Sequence, residues 1–290
     1  MMGWLTLAAV QPPVYMPPSA EANERMVRRG LDLLAKCLQY GADFVCLPEF
    51  FNVFCLPNDE MTRAAGEAEK LLQHVQKMLT GQKAYVILPL LVPWSGGFVD
   101  RAYLLRGGEI LGYYDKVHPT LGEKEKLGVL PGGELKVFET SLARIAITIC
   151  YDIYFPEFFA TLCAAEPEII FFPALQRSEH ELANESLLKA RAMDTQAYWV
   201  RASYGQDVDS PWSPGMMFGQ SCIVHPDGTF LANAGHYEGL ALSYVPVPFV
   251  WRRQRCGGYP AVPVRRFISE DRRPRIYKKG VSLVRVGHLR

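Results

Sequence analysis

Short apolar runs alternate with longer amphipathic stretches along the chain. The runs are bounded by Gly, Pro or polar residues and are too short for helices, so they predict buried strands. Apolar side chains at helical spacing, such as Met26, Leu31 and Leu34, predict a helix from about residue 19 to residue 40. Strands are predicted at 5–10, 44–48, 84–92, 168–172, 200–204, 221–225 and 240–245, and further helices at 60–79, 156–165 and 178–198.

Two hairpins interrupt this alternation. Segments 102–105 and 110–114 flank Gly107 and Gly108, a pair typical of tight turns, and segments 135–139 and 144–149 form the second hairpin. The helix at 178–198 opens with a capping box of Ser178 and Glu181. Helices between strands, with hairpins added, predict a layered α/β fold with a mixed sheet.

The composition excludes disorder and a membrane span. Of the 290 residues, 49% are hydrophobic, which is enough to bury a large core. The longest apolar run, 84–94, is too short to cross a bilayer and contains two prolines. No basic stretch precedes the first apolar residues, so we expect a protein that is not exported.

The cysteines and histidines predict neither disulfides nor a metal centre. Seven cysteines occur without any Cys-x-x-Cys, and the six histidines lack the close spacing of zinc ligands. Free thiols are typical of a reducing compartment. We therefore expect a cytoplasmic protein that needs no metal and no organic cofactor.

The net charge of +1 hides a basic C-terminal segment. Residues 251–290 contain 12 Lys and Arg against 2 acidic residues, so the rest of the chain is acidic. Such a tail could bind nucleic acid. Its scattered apolar residues, among them Trp251 and Tyr259, favour docking onto the protein's own acidic body or onto a second subunit. We expect no nucleic-acid or membrane partner.

Two charged residues follow apolar strands and are candidates for acid–base chemistry. Glu49 ends the run Phe-Val-Cys-Leu-Pro-Glu, and a carboxylate among apolar neighbours suits a general base. The alternative is a strand-end glutamate that faces solvent or pairs with an arginine. Lys116 also follows an apolar strand, where it could donate to a developing oxyanion. A lone lysine is more often an ordinary surface residue.

Cys150 is the candidate nucleophile. It lies between an apolar strand and a helix that begins at Pro156, a residue suited to the first helical turn. A thiol near a helix N-terminus with a lysine nearby is expected to have a lowered pKa and to be reactive. The alternative is a buried core cysteine, the commoner fate of a free thiol.

Taken in order, these segments resemble the three motifs of the nitrilase superfamily of carbon–nitrogen hydrolases. The motifs are Leu-Pro-Glu at 47–49, Tyr-x-Lys-x-His at 114–118 and Cys-Tyr-Asp-x-x-Phe-Pro-Glu at 150–157. The resemblance implies a four-layer α-β-β-α sandwich over residues 1–250. It also implies subunits that pair and exchange C-terminal segments, so we expect a homodimer or larger homo-oligomer with 251–290 as a docking arm.

The resemblance also implies roles for individual residues. Glu49 would be the general base, Cys150 the nucleophile and Lys116 the stabiliser of the tetrahedral intermediate. Members of the superfamily commonly carry a second active-site glutamate shortly after the lysine; Glu123 matches it best and Glu125 competes. His118 would orient the lysine loop, and the backbone N–H of Tyr151 is our choice for a second oxyanion donor.

The branch of the superfamily is read from the residues after the cysteine. Tyr151 and Asp152 replace the Trp-Glu pair usual in true nitrilases and favour the amidase, omega-amidase and carbamoyl-hydrolysing branches. Tyr154 stands where arginine often precedes Phe-Pro-Glu. Arg177 could instead hold a substrate carboxylate, although a salt bridge to a neighbouring glutamate is the simpler alternative. An apolar acyl pocket could be lined by Tyr151, Phe51, Phe54 and Trp212, residue types that more often pack in cores or loops.

The sequence thus predicts a cysteine-dependent hydrolase of a small amide that gives a carboxylic acid and ammonia or an amine. An N-carbamoyl substrate is the first alternative, and a nitrile is the second. A catalytically silent scaffold of the same fold is the alternative from another class, but it should have lost at least one of Glu49, Lys116 and Cys150.

Overall fold

The computed structural model describes residues 3–175, 181–209, 219–273 and 275–276. The chain divides into two compact units, Met1–Phe249 and Val250–Arg290. Within the described ranges, no helix is long and apolar enough to cross a membrane.

Within the described residues the chain forms sixteen strands and seven α-helices, numbered in chain order. The strands are β1 Gly3–Gln11, β2 Pro13–Val14, β3 Phe44–Cys46, β4 Tyr85–Trp94, β5 Gly97–Arg106, β6 Glu109–Asp115, β7 Val137–Glu139, β8 Arg144–Ile147, β9 Ile169–Pro173, β10 Tyr198–Ala202, β11 Gly205–Gln206, β12 Cys222–Val224, β13 Phe230–Asn233, β14 Gly239–Val247, β15 Arg252–Arg253 and β16 Val262–Pro263. The helices are α1 Ala20–Gln39, α2 Asn58–Ala65, α3 Ala68–Met78, α4 Leu121–Leu127, α5 Pro156–Ala164, α6 Glu181–Thr195 and α7 Val264–Asp271, and a short 3-10 helix spans Cys150–Tyr154.

The first unit contains two six-stranded mixed sheets. Their strand orders are β14-β1-β3-β4-β5-β6 and β13-β12-β10-β9-β8-β7. In each sheet three central strands are parallel, β1-β3-β4 in one and β8-β9-β10 in the other, and the outer strands are antiparallel. Parallel strands end at one edge, so residues that follow them are brought together there.

The two sheets face each other, with helices on both outer sides. Phe44 of the first sheet meets Phe171 of the second, with ring centroids 5.4 Å apart. One apolar cluster fills the space between the sheets and continues under α5 and α6, while a second joins the other face of the first sheet to α1, α2 and α3. The predicted four-layer α-β-β-α sandwich is confirmed.

Some predicted boundaries were wrong for local reasons. The single helix predicted at 60–79 is two helices, because α2 ends at Ala65 with Gly66 as its C-cap and α3 begins at Ala68. The helix expected to reach residue 198 ends at Thr195; Gln196 has a positive φ of 53°, and Tyr198 already pairs with Ile169 in β9. The predicted capping box at Ser178 lies outside the described residues. Helix α4 and strand β13 were not predicted, because both are short and α4 is also largely polar.

The second unit contains the β15–β16 ribbon and α7. Inside it Arg255 and Arg266 both pair with Glu270. Its role as a docking arm for a second subunit stays a prediction.

Candidate active site

Glu49 lies where the chain turns sharply after β3. Leu47 continues the strand by donating its N–H to the Ile87 carbonyl at 3.0 Å, and Phe50, directly after Glu49, has a positive φ of 56°. The hydroxyl of Tyr204 donates to the Glu49 carbonyl at 2.7 Å. The Glu49 side chain is therefore held, and it is only 1% exposed.

Lys116 is fixed on both sides of its backbone. Its N–H donates to the Asp100 carbonyl at 2.9 Å, and its carbonyl accepts from the Gly132 N–H at 2.8 Å. Only glycine fits at 132, since a Cβ there would lie 2.2 Å from the Asp115 carbonyl oxygen. The ammonium Nζ lies 2.6 Å from Glu49 Oε1, so the two predicted residues form a buried pair.

Glu123, and not Glu125, lies beside Lys116. Glu123 is the third residue of α4 and forms a capping box with Thr120, which fixes its backbone. Its two carboxylate oxygens accept from Lys116 Nζ at 2.7 and 2.9 Å. Glu125 is exposed on the same helix.

Opposing effects act on the ammonium of Lys116. Burial disfavours its charge, but the negative charge of Glu49, supported by that of Glu123, raises the pKa of Lys116 well above its usual value. Burial also raises the pKa of Glu123, and Lys116 opposes that rise. The lysine is therefore charged over the whole physiological range.

Cys150 is the first residue of the 3-10 helix that follows β8, and its backbone is strained. Its φ is +43°, a region that non-glycine residues rarely occupy and that costs of order 1–3 kcal/mol. The turn brings the thiol to the edge of its sheet, close enough to Glu49, Lys116 and Glu123 for their charges to act on it. Among the described residues, the backbone N–H of Tyr151 has no acceptor, which leaves it free for a ligand.

The expected low pKa of Cys150 was wrong. Burial raises the pKa of the thiol well above its usual value, and the negative charges of Glu49 and Glu123 raise it further against the opposing effect of Lys116. Helix α5 begins at Pro156 as expected, but this start is six residues beyond Cys150, too far for its N-terminus to offset the burial of the thiol. The resting residue is a thiol, so a nearby base must remove its proton when it reacts.

Asp152 joins the lysine loop to the cysteine turn. Its Oδ2 accepts from the Ile149 N–H at 2.9 Å and from the Tyr114 hydroxyl at 2.7 Å. Its Oδ1 accepts from the His118 N–H at 3.0 Å and lies 2.8 Å from His118 Nδ1. His118 thus contacts Asp152, the residue that joins the lysine loop to the cysteine turn. This contact fits the expected role of His118 in orienting the lysine loop.

Replacing Asp152 with alanine is expected to destabilise the protein by about 3–5 kcal/mol, because it leaves buried donors without acceptors. The same change should lower kcat about 10²-fold, since Cys150 and Lys116 lose their common anchor. Urea unfolding and steady-state kinetics measure the two effects. Asp227→Ala, which removes an exposed turn carboxylate beside His225, is the control and should change neither much. A stable, fully active Asp152→Ala protein would contradict this role.

The predicted acyl-pocket residues have different surroundings. Tyr151 is 37% exposed and lies at the edge of the site, where the centroid of its ring is 5.3 Å from that of Tyr154. Phe51 is fully buried against Gly30 of α1, and Phe54 stacks on Tyr204 with centroids 4.1 Å apart. These contacts pack Phe51 and Phe54 into the core, and their lining of an acyl pocket stays a prediction. Arg177 and Trp212 lie outside the described residues.

The sequence reasoning missed two buried charged residues. Asp100 lies in β5, 3.6 Å from Lys116 Nζ through its Oδ2. Arg201 lies in β10, level with Phe172 of β9, and within the described chain its guanidinium has no carboxylate partner and its Nε no acceptor. Burial lowers the pKa of Arg201, while Cys222, Cys150 and Tyr154 act in the opposite direction. Both residues interrupt apolar strands, a signal that the sequence does contain.

Within the described ranges, no group of three or more His, Cys, Asp and Glu side chains is arranged to hold a metal ion. The polar groups that do converge are two glutamates, a lysine and a thiol, a set suited to nucleophilic chemistry at a carbonyl carbon.

A sandwich of two such sheets with a Glu–Lys–Cys cluster at one edge defines a carbon–nitrogen hydrolase of the nitrilase superfamily. The carbon–nitrogen hydrolase family model matches residues 6–250, and the chain belongs to this family. It is 27% identical over 285 residues to the deaminated glutathione amidase of Bos taurus, covering 89% of this chain and 80% of that protein. It is 26% identical over 238 residues to the omega-amidase NIT2-A of Xenopus laevis, covering 77% and 84%. An amidase from Nesterenkonia sp. AN1, solved in complex with acrylamide, has a TM-score of 0.74 at 20% identity, with 96% and 97% of the two chains covered.

Proposed function

We propose that the protein hydrolyses the C–N bond of a small amide through a thioester on Cys150, releasing a carboxylic acid and ammonia or an amine. The observation that carries the proposal is the position of Lys116 Nζ, 2.6 Å from Glu49 and 2.7 Å from Glu123, in a buried cluster whose charges reach Cys150. The amidase names of its relatives support an amide over other C–N substrates.

In the first half of the reaction Cys150 Sγ attacks the amide carbonyl carbon and Glu49 takes the thiol proton. Lys116 and the backbone N–H of Tyr151 stabilise the oxyanion that forms. The C–N bond then breaks, Glu49 returns the proton to the leaving nitrogen, and a thioester remains. Because the pKa of Cys150 is raised, this base-assisted attack is preferred to attack by a preformed thiolate.

In the second half a water molecule attacks the thioester carbonyl carbon and Glu49 takes its proton. The same two donors stabilise the second oxyanion. Collapse breaks the C–S bond, the acid leaves, and the proton on Glu49 returns to the Cys150 sulfur. Glu123 holds Lys116 in place through both halves, so the ammonium does not follow Glu49 as its charge changes.

The test is ammonia release by the purified protein from matched amides, N-carbamoyl compounds and nitriles. We expect activity on amides that is absent in Cys150→Ala. Activity on N-carbamoyl compounds or nitriles alone would replace the amide proposal with one of those alternatives. Amine release needs a separate assay with N-substituted amides, and a protein inactive in both assays would favour the scaffold alternative.

Arg201 supports a finer proposal about the substrate. An isolated guanidinium is costly to bury, and a ligand carboxylate would supply the missing charge in a bidentate contact. The buried guanidinium of Arg201, unpaired within the described chain, therefore supports a preferred amide whose acyl chain carries a carboxylate at its far end.

The prediction is tested with pairs of amides of equal length that end in a carboxylate or in a methyl group. We expect the wild type to prefer the carboxylate by at least about tenfold in kcat/KM, and Arg201→Met to lose that preference. Arg144→Met, which removes an exposed arginine paired with Glu166, is the matched control. Equal preference in wild type and Arg201→Met would contradict this substrate class.

A further inference from the structure

Asp100 is a buried acid that the proposed reaction does not use. Its side chain is fully buried in β5, and within the described chain neither carboxyl oxygen accepts a hydrogen bond from an N–H or O–H group. Its hydrogen-bonding neighbour is the Glu49 carboxylate, with which Asp100 can pair only when one of the two acids holds a proton. A carboxylate buried in this way loses its hydrogen bonds to water and gains none from protein donors, which destabilises its charged form. Its ionised form is therefore the less stable one.

The charges around Lys116 lead to the same conclusion. Three carboxyl groups surround one ammonium, with Nζ at 2.6 Å from Glu49, 2.7 Å from Glu123 and 3.6 Å from Asp100. The N–H groups of Lys116 are directed to the two glutamates, and the nearby Tyr114 hydroxyl donates to Asp152 and not to Asp100. If all three acids were ionised, the buried cluster would carry two uncompensated negative charges.

Asp100 is the acid best placed to keep a proton. Burial raises its pKa well above the usual value, the negative charges of Glu49 and Glu123 raise it further, and Lys116 opposes them. Glu123 in contrast accepts two hydrogen bonds from Lys116 and one from the Thr120 N–H, which favour its ionised form.

We propose that Asp100 is a positioning residue that remains a neutral carboxylic acid at neutral pH, so that Lys116 is shared by Glu49 and Glu123 alone. The inference rests on the proposed function of those residues. An ionised Asp100 would draw the ammonium inward, away from the carbonyl oxygen of a substrate, and would make the Cys150 thiol still harder to deprotonate. The neutral acid instead fills the space behind the Glu49–Lys116 pair.

Two variants distinguish a neutral Asp100 from an ionised Asp100 that acts as a counter-charge to Lys116. Asp100→Leu removes the polar group and is expected to lower kcat at least about tenfold with little change in KM, because Asp100 acts through Lys116 and not on the substrate. Asp100→Asn, which is neutral and of the same shape, should restore most of that loss. If Asp100→Asn were as impaired as Asp100→Leu, the negative charge would be what matters, and the proposal would be overturned.

The pH dependence of stability tests the protonation state without any turnover. An unfolded aspartate is ionised above about pH 3.9, so wild type would take up one proton at Asp100 on folding at pH 7. A folded pKa above the unfolded one means stability that is fully present at low pH and falls as pH rises between the two values. We expect the slope of the unfolding free energy against pH to be more negative near pH 7 in wild type than in Asp100→Asn. The difference between the two slopes should correspond to one proton taken up on folding.

Equal slopes in wild type and Asp100→Asn would show an ionised Asp100 and overturn the proposal. Should unfolding prove irreversible, infrared difference spectra of the folded proteins give the same answer, since the carbonyl stretch of a protonated acid should disappear in Asp100→Asn. Neither measurement depends on activity. A protein inactive on amides would therefore contradict the proposed function and leave the result on Asp100 standing.

Discussion

Replacing Cys150 with alanine is expected to abolish turnover and leave the fold intact. The change removes the atom that forms the covalent bond, and loss of a covalent nucleophile costs at least about 10⁴-fold in kcat. Alanine has the same backbone preferences as cysteine at a positive φ, so the strained turn should be no harder to form. Ammonia release and thermal unfolding of the purified variant measure the two effects.

Cys37→Ala is the matched control for this variant. Cys37 is a fully buried thiol in α1, on the far side of the first sheet from the site. Its removal should cost a little stability and no activity. A Cys150→Ala protein with more than a trace of wild-type kcat would show that another group is the nucleophile.

Lys116→Ala is expected to have the next largest effect, on activity and on stability together. Loss of one oxyanion donor lowers kcat by about 10²–10³-fold. The same change leaves Glu49 and Glu123 buried without their cation, which costs about 3–5 kcal/mol when one partner of a buried pair is removed. Steady-state kinetics and urea unfolding measure these losses separately.

The contribution of Lys116 to the stability of the wild-type protein depends on pH. The folded pKa of Lys116 is raised, so its contribution is fully present below the unfolded value of about 10.4 and is lost as pH rises through the folded pKa. Lys136→Ala, which removes a lysine paired with the exposed Glu134, is the control. Wild-type kcat in Lys116→Ala would refute the assigned mechanism.

The sequence was informative about the site wherever a residue follows a strand. Glu49 and Lys116 follow strands of one sheet and Cys150 follows a strand of the other, so the local pattern marked them as candidates. The resemblance of the three ordered motifs to the nitrilase superfamily then gave their expected roles. Glu123 was harder to choose over Glu125. Its selection depends on the capping box with Thr120, a feature of a helix too short and polar to be predicted.

The electrostatics of the site could not be predicted in the same way. The pKa of Cys150 depends on the burial of the thiol and on Glu49 and Glu123, which are far away in sequence. Local reasoning considered only the lysine and the following helix and gave the wrong direction. Asp100 was overlooked because it lies just before the predicted strand 102–105, and only the pairing of β5 with β6 places its carboxyl group beside Lys116.

The most direct test of the account is to find the acyl group on the enzyme. Wild-type protein turning over a small amide is quenched in acid, digested and analysed by mass spectrometry. We predict that the peptide carrying Cys150 gains the mass of the acyl group, that is, of the amide minus ammonia, and that Cys150→Ala gains none. Turnover with no adduct in wild type, or an adduct on a different residue, would contradict a thioester on Cys150.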